Sequence, residues 1–109
     1  MTDRLQSYTD FWPYYLGEHR RPATRLCHYG GTLSGVAFLA VAFLTGEYLW
    51  GGAALLAGYG PAWLSHAFIE HNRPATFRYP VWSLVSDLRM AALMTVGRLG
   101  RELERHQID

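Results

Sequence analysis

Charged side chains are nearly absent from the middle of the chain, where apolar residues dominate. Between Arg25 and His66 the only formally charged residue is Glu47. That residue divides the stretch into two apolar runs, each about as long as a helix that crosses a hydrocarbon core of roughly 30 Å. The pattern therefore predicts a hairpin of two transmembrane helices over residues 26–69, with Gly46-Glu47 at its tip.

Both segments that flank the hairpin have the periodicity of helices. Residues 3–19 place apolar and aromatic side chains at helical spacing, and Pro13 limits or kinks the run. Pro80 is well placed to begin a C-terminal amphipathic helix over residues 80–105. The apolar positions of that helix form one stripe: Val81, Leu84, Val85, Leu88, Ala92, Val96, Leu99 and Leu103. We expect this helix to pack on the base of the hairpin or to lie at the membrane interface.

Length and composition agree with one folded helical domain. A chain of 109 residues is large enough for one modest core but too small for two. Half of the residues are apolar and 15% are aromatic, which argues against a disordered chain. The single Cys27 excludes an internal disulfide and a multi-cysteine zinc site. The predicted fold class is all-α: a small helical membrane protein of about four helices, forming a single domain over residues 1–109.

The arginines predict how this protein lies in a membrane. Four of the ten arginines precede the hairpin, six follow it, and none lies between Arg25 and Arg73. The positive-inside rule then places both termini in the cytoplasm and Glu47 on the far side. We therefore expect an integral protein of the bacterial inner membrane. The alternative is a soluble bundle with a buried hairpin, because the mean hydropathy of the whole chain is only −0.06.

Small residues recur at helical spacing in both halves of the hairpin. Gly31 and Gly35 form a GxxxG pair, and Ala54 and Gly58 match it in the second half. Such pairs let two helix backbones approach closely. The sequence thus predicts a tight contact between the two helices.

Three histidines are predicted to meet at one end of the hairpin. His28 lies 19 residues before Glu47, and His66 lies 19 residues after it. Two antiparallel helices that turn at Glu47 would bring both imidazoles to the same depth. His19 precedes Pro22 by three residues and belongs to the same end. Three imidazoles from three segments can therefore converge.

Two further residues near His66 are candidates for the same site. Glu70 is four residues after His66 and shares its helical face, whereas His71 is rotated by roughly 140°. Neutral imidazoles with a nearby carboxylate suit iron(II), zinc or copper, and with open coordination positions they suit non-haem iron oxygenases. The simpler interpretation is that these histidines only cap helices or tie them together. His106 lies in a charged tail and is expected to be solvated.

Two stretches of the sequence resemble the motifs of a known family. They are HRRPATRLCH at residues 19–28 and HAFIEHNRPA at residues 66–75, and they resemble the 2-hydroxy fatty acid dioxygenases. The family consists of small multi-span membrane proteins. The resemblance implies an enzyme that uses Fe(II) and dioxygen to shorten a 2-hydroxy fatty acid by one carbon, in α-oxidation. Thr24 stands where the family usually has Asn, Ser65 replaces a Gly, and His71 occupies a position often filled by Lys.

The resemblance carries site roles over to particular residues. It implies that His19, His28 and His66 hold Fe(II), with zinc as the alternative metal, and His71 is a further candidate ligand. Glu70 and Arg73 are the candidate catalytic residues.

These two side chains have separate expected tasks. Glu70 would orient a ligand imidazole through its second N–H. Arg73 would pair with the carboxylate of the substrate.

The expected partners follow from the same reasoning. They are a fatty-acyl substrate, dioxygen and membrane lipids, with the acyl tail among Phe38, Phe43, Leu55 and Leu56 or in the adjacent bilayer. No nucleic acid is expected, because the arginines form no exposed helical stripe. Nucleotide binding is not expected either, because the sequence has no Gly-rich phosphate loop. A zinc-dependent membrane enzyme and a non-catalytic membrane scaffold remain the alternatives.

Overall fold

The computed structural model describes residues 4–108 and is entirely helical in that range. Five α-helices occur there and no β-strand: α1 (Tyr8–Glu18), α2 (Pro22–Thr45), α3 (Leu49–Ser65), α4 (Pro80–Thr95) and α5 (Leu99–Arg105). A π-helical turn, His66–Glu70, and a 3-10 turn, Ala75–Phe77, connect α3 to α4. The all-α class is confirmed, with five helices where about four were predicted.

Helix α1 carries the aromatic face that anchors the N-terminal segment. Ser7 caps the helix, because its hydroxyl accepts the backbone N–H of Asp10 at 3.2 Å. Phe11, Trp12, Tyr15 and Leu16 on the following turns are buried, and they pack with Tyr79 and Met90 in one core cluster. The prediction for residues 3–19 begins at Asp3, which lies outside the described residues. Helix α1 thereby fixes the position of its C-terminal end, where His19 lies.

Helices α2 and α3 form the predicted hairpin with a close backbone contact. Gly46 closes α2 in the left-handed conformation, with φ +73°, and its N–H bonds to the carbonyl of Ala42 at 2.9 Å. A Cβ added at Gly31 would lie 2.9 Å from the carbonyl oxygen of Gly58. A Cβ added at Gly35 would lie 3.2 Å from the carbonyl oxygen of Ala54. The close approach predicted from the small residues is therefore confirmed.

One helix in the described range has the length and composition to cross a membrane. It is α2, and only 11% of its most apolar window is buried within the protein. Helix α3 has 17 residues and is shorter. The structure therefore contains a helical hairpin with one candidate span, and the transmembrane assignment of the whole hairpin stays a prediction.

Two helices occupy the predicted C-terminal segment, 80–105, instead of one. Gly97 takes a left-handed φ of +72°, and the N–H of Arg98 bonds to the carbonyl of Leu93 at 2.8 Å. This conformation ends α4 before α5 begins, because a residue at positive φ cannot continue a right-handed helix. Gly97 is therefore the physical reason for the break.

The apolar stripe predicted for this segment faces outward along α4. Four of its members are 46–71% exposed: Val81, Leu84, Val85 and Leu88. The buried face of α4 instead carries Ser83, Ser86, Met90 and Ala91. The hydroxyl groups of Ser86 and Tyr8 lie 2.9 Å apart and hydrogen-bond. Helix α4 packs on the rest of the protein through this more polar face.

A candidate metal centre of three histidines

The three predicted histidines meet inside the protein. His19, His28 and His66 are 1%, 5% and 1% exposed. The Nε2 atom of His66 lies 3.1 Å from Nε2 of His19 and 3.2 Å from Nε2 of His28. Their ligand atoms all lie within 4.8 Å of one another. His19 directly follows α1, His28 lies in the second turn of α2, and His66 begins the π-helical turn after α3.

Each imidazole directs its other nitrogen at an oxygen atom. The Nδ1 of His19 lies 2.6 Å from the carbonyl oxygen of Tyr15, and the Nδ1 of His66 lies 2.5 Å from Oδ1 of Asn72. A carbonyl oxygen only accepts, so Nδ1 of His19 must carry the proton. The amide nitrogen of Asn72 donates to the backbone carbonyl of Glu18 at 3.1 Å, which turns its oxygen toward His66.

The third imidazole is oriented by a carboxylate. The Nδ1 of His28 lies 3.4 Å from Oδ1 of Asp87 in α4. The same oxygen accepts a short hydrogen bond from the phenol of Tyr15, whose ring stacks on His19 with ring centroids 4.0 Å apart. Tyr15 and Asp87 therefore link the imidazoles of His19 and His28 into one hydrogen-bonded unit. Outer partners of this kind fix the tautomer and orientation of metal-binding histidines.

The arrangement fits a metal ion. With protons on Nδ1, the Nε2 lone pair of His66 faces those of His19 and His28 at 3.1 and 3.2 Å, and these lone pairs repel unless a cation lies between them. Metal–nitrogen bonds of about 2.1 Å place neighbouring nitrogens about 3.0 Å apart at right angles and about 3.4 Å apart at the tetrahedral angle. The observed separations lie within this range. The three residues could thus hold one metal ion and leave further positions open.

Burial keeps His19 and Tyr15 in the protonation states that the arrangement needs. Burial lowers the pKa of the His19 imidazole well below its ordinary value, and the neighbouring His28 lowers it further. Burial, followed by the charge of Asp87, raises the pKa of the Tyr15 phenol well above its ordinary value. His19 is therefore neutral and able to bind a metal, and Tyr15 remains a hydrogen-bond donor.

Glu70, which was predicted beside the imidazoles, contacts the protein backbone. Its Oε2 accepts the backbone N–H of Arg21 at 2.7 Å, just before α2 begins. The helix after His66 is a π-helix, so the phase predicted for an α-helix does not apply to residues 66–70. Glu70 ties the turn that carries His66 to the start of the helix that carries His28.

The two other predicted residues lie at the surface. His71 ends the π-helical turn in a left-handed conformation, with φ +59°, and its side chain is exposed. It is not part of the buried three-histidine group. Arg73 follows in the connection to α4 and is also exposed.

The structure adds residues to the site that the sequence did not indicate. Asp87, Asn72 and Tyr15 orient the imidazoles. The sequence signal that could have indicated Asp87 is that it is the single acidic residue of α4.

Thr24 is fully buried one helical turn before His28. Its hydroxyl is the one buried side-chain polar atom in residues 4–108 that lacks a hydrogen-bond partner. A buried hydroxyl on the same helical face as His28 is available to a molecule bound at the histidine cluster.

Fold and site together define a small all-helical protein with a buried cluster of three histidines that could hold a metal ion. The family model described as 2-hydroxy-palmitic acid dioxygenase Mpo1-like matches residues 5–99. The chain belongs to this Mpo1-like family, as its two histidine motifs predicted. No curated protein and no solved structure matches the chain.

Proposed function

We propose that this protein is an Fe(II)-dependent dioxygenase that removes one carbon from 2-hydroxy fatty acids at the three-histidine centre. One observation carries the proposal: three buried imidazoles present Nε2 to a common point, and each is oriented by an oxygen acceptor at Nδ1. Three neutral ligands leave coordination positions for other groups. Bound Fe(II) would supply the activation of dioxygen at this point.

The overall reaction balances with dioxygen as the only oxidant. A 2-hydroxy acid and one dioxygen give the acid that is one carbon shorter, carbon dioxide and water. The bond between the carboxyl carbon and the hydroxyl-bearing carbon breaks, and the hydroxyl-bearing carbon becomes the new carboxyl group. All four electrons that dioxygen accepts come from the substrate, so turnover requires no external reductant.

The residues around the centre have separate tasks in this proposal. Tyr15 and Asp87 hold the imidazoles of His19 and His28 in place, and burial of the cluster excludes bulk water. The free hydroxyl of Thr24 offers a hydrogen bond to a ligand at the centre. Arg73 pairs with the carboxylate of the arriving substrate, as its guanidinium fork suits a carboxylate.

Glu70 acts on the centre through the backbone in this proposal. Its hydrogen bond to the N–H of Arg21 keeps the π-helical turn in register with the start of α2. Loss of this contact would displace His66 relative to His28 without removing a ligand. Glu70 is therefore a positioning residue.

The proposal includes a membrane location for the hairpin. Large apolar side chains cover its outer surface: Leu39 is 57%, Phe43 is 89% and Leu44 is 87% exposed. Ser83 and Ser86, in contrast, are buried on the packed face of α4. An apolar exterior around small and polar contacts is typical of helices that pack within a bilayer. A fatty acid dissolved in the bilayer could then reach the enzyme laterally.

Dioxygen consumption tests the proposed reaction. Fe(II)-loaded protein in lipid nanodiscs should consume dioxygen with 2-hydroxypalmitate but not with palmitate, and mass spectrometry should detect the acid that is one carbon shorter. The His66→Ala variant is the matched control and should consume none. Equal rates with the two acids, or no consumption with either, would contradict the proposal.

A zinc enzyme is the second candidate, because three neutral histidines also form catalytic zinc sites. Metal analysis of protein purified without oxygen separates the two candidates. Iron at one equivalent supports the dioxygenase. Zinc at one equivalent, with no dioxygen consumption after exchange to iron, supports the alternative.

A further inference from the structure

A cavity lies between α2, α3 and α4, on the side of the hairpin that α4 partly covers. Its volume is about 390 Å³, and its lining is mainly apolar. We call it the interhelical groove, and define it by Thr32 and Leu39 of α2, Gly51, Leu55 and Tyr59 of α3, and Asp87 of α4. It is distinct from the buried histidines but approaches them from the hairpin side.

The walls of the groove continue into the candidate metal centre. Thr32 lies one helical turn after His28, and the two residues share a face of α2. Asp87, which lines the groove, also contacts Nδ1 of His28. The end of the groove near Asp87 therefore adjoins the orienting shell of the histidines.

The chemistry of the lining changes along the groove. The polar residues of the lining are Thr32, Tyr59 and Asp87; Thr32 follows His28 by one helical turn and Asp87 contacts His28, so this end of the groove is the one nearer the histidines. Leu39, Leu55 and Gly51 line the part nearer the tip of the hairpin. From Tyr59 to Gly51 the groove follows α3 for about 12 Å, at a helical rise of about 1.5 Å per residue. An elongated cavity with one polar end suits an amphiphile with a single chain.

We propose that the interhelical groove binds the acyl chain of the 2-hydroxy acid, with the methyl end at Gly51 and the head at the histidines. This inference rests on the proposed function, since that function supplies the substrate class. A bilayer phospholipid is the competing occupant. Its large head group must stay in the interface, whereas the groove leads toward imidazoles that are at most 5% exposed. The small head of a free acid can reach such a buried centre.

Gly51 is the residue that would set the length of the accepted chain. A Cβ built on Gly51 meets no other atom within 4 Å, although the residue lines the groove. A larger side chain at this position can therefore enter the groove without displacing a neighbouring helix. Gly52 is a matched control on the same helix, because it is exposed, its added Cβ also meets nothing within 4 Å, and it does not line the groove.

Chain-length selectivity provides the first test. Gly51→Leu should lower kcat/KM for 2-hydroxypalmitate relative to 2-hydroxyoctanoate by about 10-fold or more, as filling an apolar pocket discriminates by this order. Gly52→Leu should keep the wild-type ratio. Both variants should keep the wild-type metal content, since the histidines are untouched. An unchanged ratio in Gly51→Leu would overturn the proposal.

Photolabelling provides a second test that does not depend on turnover. Protein in nanodiscs is irradiated with palmitate that carries a diazirine at the methyl end, and labelled peptides are mapped by mass spectrometry. Labels around Leu39 and Leu55, reduced by 2-hydroxypalmitate and by Gly51→Leu, support the groove even if the protein turns over no hydroxy acid. The opposite result would overturn the proposal. If excess phospholipid reduces the labelling and 2-hydroxypalmitate leaves it unchanged, the occupant of the groove is a bilayer lipid.

Discussion

Asp87 of α4 lies 3.4 Å from Nδ1 of His28 in α2, although the two residues are 59 positions apart in the chain. The same carboxylate oxygen accepts the phenol of Tyr15 from α1. One acidic side chain thus holds three helices together around the histidines. Its contact with Nδ1 also fixes the orientation of the His28 imidazole, as outer partners do for metal-binding histidines.

Asp87→Asn should lower the metal affinity of the centre by about 10–100-fold, the usual effect of removing an outer partner of a metal-binding histidine. The amide keeps the shape of the side chain but removes the charge that supports the N–H of His28. Titration of the metal-free protein against a competing chelator measures this change. Tyr15→Phe should have a smaller effect, because Asp87 and its contact to His28 remain.

Asp10→Asn is the control for this substitution. Asp10 is an exposed residue in the first turn of α1, far along the chain from the centre. The Asp10→Asn variant should bind metal with the affinity of the wild type. Equal affinities in the Asp10 and Asp87 variants would show that the carboxylate of Asp87 does not support the metal.

His19→Ala, His28→Ala and His66→Ala should each lose more metal affinity than Asp87→Asn, because each change removes one of the three proposed ligands. Metal content measured after dialysis gives the comparison. His71→Ala and His106→Ala should retain the metal, since His71 is exposed and His106 lies 3.7 Å from Glu102 outside the buried group. A full complement of metal after His28→Ala would favour the scaffold interpretation.

Hydrophobic patterning predicted the helices better than it predicted their packing. The long gap between charged residues predicted α2 and α3, and the small residues at Gly31 and Gly58 predicted their contact. The orientation of α4 could not be predicted in this way, because the stripe rule assumes that apolar faces turn inward. In this protein the buried face of α4 carries serines, and Ser86 hydrogen-bonds Tyr8 of α1. A membrane environment would provide the physical reason for the outward stripe.

The histidine cluster was predicted correctly, but part of the reasoning was inaccurate. The hairpin does turn at Gly46 and Glu47, between α2 and α3. Equal depth of His28 and His66 also assumed that the helices pair symmetrically about Glu47, whereas the contact of Gly31 with Gly58 is centred between residues 44 and 45. The imidazoles nevertheless meet, with Nε2 of His28 3.2 Å from Nε2 of His66. The roles of Asp87 and Asn72 depend on tertiary contacts that helical periodicity does not contain.

Thr24→Val should stabilise the metal-free protein and slow turnover. Valine replaces a fully buried hydroxyl that has no hydrogen-bond partner in the described part of the chain, so unfolding should cost about 1 kcal/mol more. Turnover should fall because a ligand at the centre loses that hydroxyl. Denaturant titration in detergent and dioxygen consumption measure the two effects.

Thr76→Val is the matched control with the opposite effect on stability. The hydroxyl of Thr76 lies 3.1 Å from that of Ser83, so the same substitution breaks a hydrogen bond. Thr76→Val should therefore destabilise the protein. A lower stability in Thr24→Val as well would mean that the Thr24 hydroxyl already has a partner in the folded protein.

The stability of the contact between α1 and α5 should depend on pH through Glu102. The indole N–H of Trp12 donates to its Oε1 at 2.8 Å, and this bond lowers the pKa of the carboxyl below its ordinary value of 4.5. Arg105, Arg89 and His106 lower it further. The carboxylate therefore stabilises the fold above the ordinary pKa, and this contribution disappears as the pH falls through the lower, folded value.

Glu102→Gln should consequently be less stable than the wild type at neutral pH, and the difference should shrink below about pH 4.5. Thermal unfolding in detergent at a series of pH values measures the difference. Glu104→Gln, an exposed neighbour on the same helix, should show little change at any pH. A stability difference for Glu102→Gln that persists unchanged in acid would contradict a contribution from the charge.

The hairpin should cross the membrane with its tip on the side opposite to both termini, because arginines flank it and avoid the tip. Single cysteines test this topology after Cys27→Ser removes the native thiol. A membrane-impermeant maleimide should label Glu47→Cys only from outside intact cells, since this tip residue is exposed. Glu104→Cys in α5 should be labelled only after the cells are opened. Labelling of both cysteines from the same side would rule out a transmembrane hairpin, and protein that stays monodisperse without detergent would do so independently.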